Sequence, residues 1–360
     1  MTSTRTQPAS ESRTTHPTVA IVGATGAVGQ ESLHVLDQRR FPLGGLKLLA
    51  SARSAGKSVE FKGEPVVVGE LNEQSFEGVD IALFSAGGSI SKRYAQAAVD
   101  AGAVVVDNSS AFRMTDGVPL VVPEVNPEAI KEANIGLGEH QQAGIIANPN
   151  CSTIIMLLAV TPIHRAVGVK RLVVSTYQAA SGAGAAAMAE LEQQTREVLA
   201  GEKPTCEIFP QQYAFNLFSH NSPLKENGYN EEELKMVHET HKIWGQTGPE
   251  KTAITATCIR VPVMRAHAES INLALEKPLS EDEARVLVSE ALGVSLIDDR
   301  ENNRFPTPLD ASYLDDVFVG RIRHDLSQPG GQGLDLFVCG DQIRKGAALN
   351  AVQIAELLLG

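Results

Sequence analysis

The chain is short of several things, and each shortage excludes something. Its four cysteines, Cys151, Cys206, Cys258 and Cys339, stand far apart with no paired spacing of the kind that holds a metal. A disulfide framework or structural zinc site is therefore not expected, no metal ligands are assigned, and a reducing cytoplasm fits. Positive charge is scarce as well: 31 Lys and Arg against 43 Asp and Glu leave a formal charge of -12. No basic stripe outweighs it, so nucleic acid is not an expected partner. No apolar run reaches the length of a transmembrane helix, so no membrane partner is expected. Internal repeats and low-complexity linkers are absent. Residues 1–17, rich in Ser and Thr but carrying Glu11, read as a disordered tail rather than a transit peptide.

What is present is the composition of a soluble globular protein, 43% hydrophobic and 21% charged, long enough for two domains. Thr18 to Val22 is a β-like run. Gly23-Ala-Thr-Gly-Ala-Val-Gly29 and a helical pattern from Val28 to Arg39 follow it. Strand, glycine turn and helix predict the phosphate-binding opening of a Rossmann unit, where backbone N–H groups approach a pyrophosphate. Gly23, Thr25, Gly26, Ala27 and Val28 are thus candidate cofactor contacts. The second strand, Leu46 to Ala50, runs into Ser51-Ala-Arg-Ser-Ala-Gly-Lys57. An NAD site usually has an acid there for the ribose hydroxyls; Arg53 and Ser54 stand in its place. They suit the 2′-phosphate of NADP, although a solvated basic loop is an equal reading of the same residues.

Strand and helix patterns keep alternating. Ile81 to Ser85 leads into a helix from Ser91 to Ala101, and Val104 to Asp107 ends in Asn108-Ser-Ser-Ala-Phe-Arg113. Arg113 is an anion ligand or a surface ion pair. Gly144 to Ala147 then reads as a strand, Asn148-Pro-Asn150 as a turn, and Ser152 onward as a helix. Cys151 falls at the helix start, where unpaired N–H groups and the helix dipole are expected to acidify a thiol. It is the candidate nucleophile.

Beyond that helix come a strand (Arg171 to Gln178), a small-residue loop through Ser181 and Gly182, and a helix from Ala186 to Leu199. Residues 201–223 read as irregular. Glu231 to Trp244 is a polar helix with Glu239 and Lys242 on one face, an ion pair on the blander reading. Strand-like runs follow at Ile254 to Val263, Ala268 to Leu275, Val317 to Arg323 and Leu334 to Cys339. An amphipathic helix from Ala347 to Leu358 closes the chain. The predicted fold class is α/β: an N-terminal doubly wound Rossmann-type domain and a second α+β catalytic and dimerisation domain on a mixed sheet.

Taken in order, the glycine turn, Arg53-Ser-Ala-Gly56, Asn108-Ser-Ser-Ala-Phe-Arg113, Asn148-Pro-Asn-Cys-Ser-Thr153, Gln178-Ala-Ala-Ser-Gly-Ala-Gly184, Glu239-Thr-His-Lys242 and Arg260-Val-Pro-Val-Met-Arg-Ala-His267 resemble aspartate-semialdehyde dehydrogenase. The resemblance implies NADP-dependent, reversible reductive dephosphorylation of 4-phospho-L-aspartate to aspartate 4-semialdehyde, on the route to lysine, threonine and methionine. It implies a homodimer, and a C-terminal helix that returns to the nucleotide domain. The expected division is residues 18–149 plus 343–360 for NADP and 150–342 for catalysis and dimerisation.

The chemistry that Cys151 can perform agrees with this. A thiolate displaces phosphate from an acyl phosphate, and hydride reduces the resulting thioester. His267 is suited to serve as the base near neutral pH. Gln178 can orient the intermediate, and Asn150 with the Cys151 N–H can form an oxyanion hole. By resemblance, Arg260 binds the substrate carboxylate and Glu239 its ammonium. Arg113 and Lys242 bind phosphate, and Ser181, Gly182 and Gln342 touch the cofactor. Two positions depart from the family pattern: Gln342 stands where many members have Asn, and Ala266 where they have Gly. The alternatives are an N-acetyl-γ-glutamyl-phosphate reductase, a cysteine hydrolase, and a non-catalytic NADP-binding protein on the same scaffold. The first binds no free ammonium and so gives Glu239 no role.

Overall fold

A computed structural model describes residues 15–138 and 140–359. The expected tail lies outside the described residues except for 15–17. The chain builds two seven-stranded sheets. The first takes β1 (Thr18–Val22), α1 (Ala27–Gln38), β2 (Gly45–Ala50), β3 (Ser58–Phe61), β4 (Glu64–Glu70), β5 (Ile81–Phe84), α2 (Gly88–Asp100), β6 (Val104–Asp107), α3 (Glu128–Glu132) and β7 (Ile145–Ala147). Its order is β3-β4-β2-β1-β5-β6-β7, parallel except for the β3–β4 hairpin.

Strands buried on both faces are near-continuous apolar runs, and β5, β1 after Thr18 and β6 up to Asp107 are of that kind. Val19 and Ile21 of β1 join one core and Ala20 and Val22 the other, the period of two that a strand imposes. The sequence reading assigns no element to residues 58–70. There the chain pairs Ser58–Phe61 with Glu64–Val67 around Lys62 and Gly63, on alternating, half-exposed residues that mark an edge rather than a core.

Next come α4 (Cys151–Val167), β8 (Val169–Gln178), α5 (Ala185–Leu199), β9 (Phe218–Ser219), α6 (Glu231–Ile243), β10 (Ala253–Arg260) and β11 (His267–Leu275). They are followed by α7 (Glu281–Ser289), β12 (Val294–Leu296), α8 (Pro308–Ala311), β13 (Val317–His324), β14 (Gly333–Gly340) and α9 (Leu349–Leu357). The second sheet runs β12-β13-β14-β11-β8-β10-β9 and is mixed. Its inner face packs on α4, which is buried nearly all round. Neither α7 nor β12 was expected from the sequence.

Topology explains how distant residues meet. β8 and β10 run parallel with Gln178 opposite Arg260, so both strands finish at one end of the sheet. β11 runs antiparallel to β8, pairing Ala268 with Tyr177, and therefore starts there with His267. The N-terminus of α4 reaches the same end.

The closing segment differs from an amphipathic surface helix. A π-helical turn, Arg344–Ala348, precedes α9, and Leu349, Val352, Ile354, Ala355 and Leu358 join the core under α1. The helix is buried on more than one face because it fills a slot between elements, which its alternation alone does not reveal.

Candidate active site

Cys151 is the first residue of α4, and Asn150 caps the helix: its Oδ1 accepts from the N–H groups of Ser152 (3.0 Å) and Thr153 (3.3 Å). Opposite, a Cβ on Gly346 would lie 2.7 Å from the Cys151 Cβ, so only glycine lets the π-helical turn close against the nucleophile. The expected acidification does not prevail in the chain alone. Burial, then the Glu232 carboxylate, push the thiol up to about 12, against the pull of Arg113, the Ser152 N–H and Arg260. The thiol keeps a partly open side toward the cleft but is otherwise ringed by protein. Of the first-turn N–H groups, those of Ser152 and Thr153 are shared with the Asn150 cap, which weakens their pull on the thiol.

His267 is fully buried, and its Nδ1 accepts the backbone N–H of Ala179 at 3.0 Å. A neutral ring that accepts at Nδ1 carries its proton on Nε2. Nε2 has no partner among the described residues, and it lies where a Cβ on Gly182 would come to 3.1 Å. Burial, then the nearby Arg260 charge, bring the ring down to about 3. The expected base near neutral pH is therefore a neutral ring offering an N–H. Among the described residues, no hydrogen bond joins it to Cys151.

Arg260 is buried, donating Nη1 to Ala179 O (3.3 Å) and Nε to Asn221 Oδ1 (3.4 Å), with Phe209 5.8 Å from the guanidinium. Among the described residues no carboxylate lies within ion-pairing distance of it. Gln178 donates Nε2 to Ser152 Oγ (3.1 Å), Thr176 Oγ1 (3.3 Å) and Glu232 Oε1 (3.3 Å). Asn150 gives its N–H to Glu239 Oε2 (2.6 Å) and one Nδ2 proton to Glu232 Oε1 (2.8 Å), so a single amide proton is left for the oxyanion role.

A cleft of about 250 Å³ holds Cys151, Arg113, Ser181, Gly182 and Gln342, with Val28 and Ser85 on its far wall. A second cavity of about 530 Å³ meets it at Ser85 and is lined by Gly23, Thr25, Gly26, Arg53, Ser54 and Arg93. Larger hollows, beside α3 and beside Lys345, include none of these residues. No side chain caps α1, so its first N–H groups stay free to meet a phosphate. Arg53 and Arg93 have no ion-pair partner among the described residues. The glycine turn, the free helix end and the two arginines fit a dinucleotide with an extra phosphate.

Two family models match the chain: a semialdehyde dehydrogenase NAD-binding domain over residues 18–133 and a semialdehyde dehydrogenase dimerisation domain over residues 160–345. An aspartate-semialdehyde dehydrogenase from Synechocystis is 57% identical across 95% of this chain and 97% of its own. The chain belongs to the aspartate-semialdehyde dehydrogenase family. It is an oxidoreductase with an NAD(P)-binding domain. A relative from Aquifex aeolicus is 52% identical over 95% of this chain and 97% of its own. Among solved structures, aspartate-semialdehyde dehydrogenase II of Vibrio cholerae, complexed with ASA, matches with a TM-score of 0.88 at 46% identity. It covers 95% of this chain and 98% of that one. The Candida albicans enzyme, solved with NADP, matches at 0.72 and 25% identity over 95% and 98%.

In the folded chain the residues expected to bind anions already hold one another. Arg113 donates Nη1 to Glu239 Oε1 (3.0 Å), Nε to Asn148 O (2.9 Å) and Nη2 to Asn108 O (2.8 Å). Lys242 Nζ donates to the carbonyls of Arg113 (2.7 Å) and Thr115 (2.9 Å). Glu239, expected as an ammonium ligand, has both oxygens taken by Arg113 and the Asn150 N–H.

Gln342 lines the cleft, but its Nε2 bonds Ser181 Oγ and its Oε1 takes the Ala266 N–H (3.1 Å). It thereby steadies Ala266, whose φ of 70° is the left-handed conformation that glycine adopts more readily. Residues the sequence reading missed include Arg93 and Glu232. Spacing offers a signal for the second: it precedes Glu239 by two helical turns and so shares its face. Glu269, also missed, is buried two residues after His267 with neither oxygen hydrogen-bonded, and burial pushes its carboxyl well above the usual carboxylate range.

Among the described residues no helix is long and apolar enough to cross a membrane.

Proposed function

We propose that the chain interconverts aspartate 4-semialdehyde and 4-phospho-L-aspartate with NADP and phosphate, through a thioester on Cys151. This places it in the reducing cytoplasm, on the route to lysine, threonine and methionine. The observation that carries the reading is Arg260, a buried guanidinium with no carboxylate partner among the described residues, set in register beside Gln178 at the end of the sheet where Cys151 opens. A small carboxylate-bearing substrate supplies the missing counter-ion.

In the oxidative direction the Cys151 thiol adds across the aldehyde. Sulfur bonds to carbon, and the thiol proton ends on the new hydroxyl. The Nε2–H of His267 and the Cys151 N–H are donors to the oxygen as its charge grows. NADP would supply the hydride acceptor when bound; with the hydride gone and the hydroxyl proton passed to solvent, the thioester remains. Phosphate, steered by Arg113 and Lys242, attacks that thioester and releases the thiol as the acyl phosphate forms. Gly182 lets backbone approach the His267 ring, and Gly346 lets it approach the Cβ of Cys151.

The functional division is residues 18–149 plus 343–360 for NADP and 150–342 for catalysis. The assembly is a homodimer, for which the second sheet's outer face, with Tyr177 exposed and Phe337 partly so, supplies an uncovered surface. The test is absorbance. Aspartate semialdehyde with NADP should give reduced cofactor only when phosphate is added. Phosphate-independent reduction, or none, would sink the reading.

A further inference from the structure

We infer that Glu232 is a positioning residue that sets the hydrogen-bond polarity of the two amides beside the nucleophile, so that Asn150 caps the Cys151 helix and Gln178 meets the substrate as an acceptor. The inference rests on the dehydrogenase reading above and adds a residue to it.

The amide oxygen and nitrogen of Asn and Gln have nearly the same shape, so surrounding partners decide which end faces where. An ionised carboxylate only accepts, and whatever amide atom faces it must be the NH2. Glu232 is the second residue of α6, buried against the end of the sheet. Its Oε1 takes Asn150 Nδ2 at 2.8 Å and Gln178 Nε2 at 3.3 Å, and its Oε2 takes Lys235 Nζ at 3.1 Å. The charged and titratable groups around it are Lys235 on its own helix, His220 beside β9, Arg260 on β10, Cys151 on α4 and His267 on β11. Burial works against its charge, but Lys235, His220 and the Asn150 amide outweigh that and hold the carboxyl at about 2. It stays an acceptor throughout the working pH range.

Two consequences follow. With Nδ2 committed, Asn150 turns Oδ1 to the N–H groups of Ser152 and Thr153 and holds the first turn carrying Cys151. The two amide protons of Gln178 are shared among Glu232, Ser152 and Thr176, so it has none to give a substrate. Among the described residues no hydrogen bond uses its Oε1. Glu239 shares its two oxygens with Arg113 and the Asn150 N–H, and the Gln178 carbonyl is a further acceptor for a substrate ammonium.

The test uses the full-length chain with NADP and phosphate, comparing aspartate semialdehyde with succinate semialdehyde, which lacks the ammonium. In Glu232→Gln the neutral side chain can present either end, and both target amides lose their fixed polarity. The kcat/KM for aspartate semialdehyde should fall by about tenfold or more, the worth of one hydrogen bond to a charged group, while that for succinate semialdehyde falls much less. Glu232→Asp, still an anionic acceptor, should keep the wild-type ratio between the two substrates even if both slow. A purely structural role predicts equal losses for both substrates in Glu232→Gln; that result, or an unchanged ratio, overturns the proposal. Should Glu232→Gln not fold, Gln178→Met decides the matter. An unchanged ratio there also overturns it, and a narrowed ratio supports it. If the unmodified chain shows no phosphate-dependent reduction of NADP, the functional reading fails instead, before any variant is compared.

Discussion

The backbone N–H of Ala179 donates to Nδ1 of His267 at 3.0 Å, and this contact decides what the ring can do. A second proton on the ring would have to sit on Nδ1, facing another proton. The ring is thus held neutral with its N–H on Nε2, a donor to developing negative charge rather than a base for the thiol.

The first prediction follows from that tautomer. Glutamine places an amide N–H close to the position of Nε2, whereas alanine places nothing there. His267→Gln should therefore keep roughly a tenth of the wild-type kcat/KM, and His267→Ala should lose about 100-fold to 1000-fold, the usual worth of an oxyanion donor. Initial rates at saturating phosphate check it. Equal, near-complete loss in both variants would mean that the ring does transfer a proton.

The same burial makes stability depend on pH. The folded ring binds its proton at about 3, against about 6.5 for an unfolded histidine, so the folded state takes up that proton less readily. The stability tied to the neutral ring is complete above pH 6.5 and drains away as pH falls toward 3. At pH 5 this loss amounts to about 2 kcal/mol. His220, held at about 4 chiefly by burial, adds a loss of the same sign between pH 6.5 and 4. Urea midpoints at pH 7 and pH 5 should therefore drop further for the wild type than for His267→Gln. Matching drops in the two proteins would remove His267 from the account.

Much of this arrangement was legible in the sequence because it is local. Cys151 at a helix start needs only the run Ile145 to Val160, and the Rossmann opening needs only the glycine turn between an apolar strand and a helix. The meeting of Gln178, Arg260 and His267 depends instead on strand order and register, which no single segment encodes. The charge states were hidden for a related reason. A helix start argues for an acidic thiol, but burial and Glu232, brought in by a distant helix, win in the folded chain. Arg113, Glu239 and Lys242 were each legible as charged residues. Their mutual grip, with one carboxylate holding both a guanidinium and the Asn150 N–H, is a property of packing alone.

Cofactor choice gives the next prediction. Arg53 is exposed at the cavity rim, Ser54 is buried beneath it and hydrogen-bonds Thr25 Oγ1 at 3.5 Å, and Arg93 approaches from α2. Arg53→Ala should weaken NADP binding by about tenfold, the scale of one charge-assisted contact, and leave NAD nearly unchanged. The double variant with Arg93→Ala should weaken NADP further if both reach the 2′-phosphate. Fluorescence titration of each reduced cofactor measures it. Equal losses for the two cofactors would place Arg53 elsewhere in the cavity's work.

The last prediction separates the two anion sites. Arg260 is buried with an open fork beside Gln178, whereas Lys242 holds the carbonyls of Arg113 and Thr115 and so shapes the loop that carries Arg113. Arg260→Lys keeps the charge but loses the planar fork that matches two carboxylate oxygens. It should raise the KM for aspartate semialdehyde by about tenfold and barely move the KM for phosphate. Lys242→Ala frees the loop and should do the reverse, raising the phosphate constant while sparing the semialdehyde. Both constants are measured in both variants, in the oxidative direction at fixed salt, because screening alone alters anion binding. Were Arg260→Lys to raise the phosphate constant and spare the semialdehyde, the two anions would have to be exchanged between the sites. The unpaired guanidinium would then be a phosphate ligand, and the carboxylate would fall to Arg113, whose fork is now closed by Glu239.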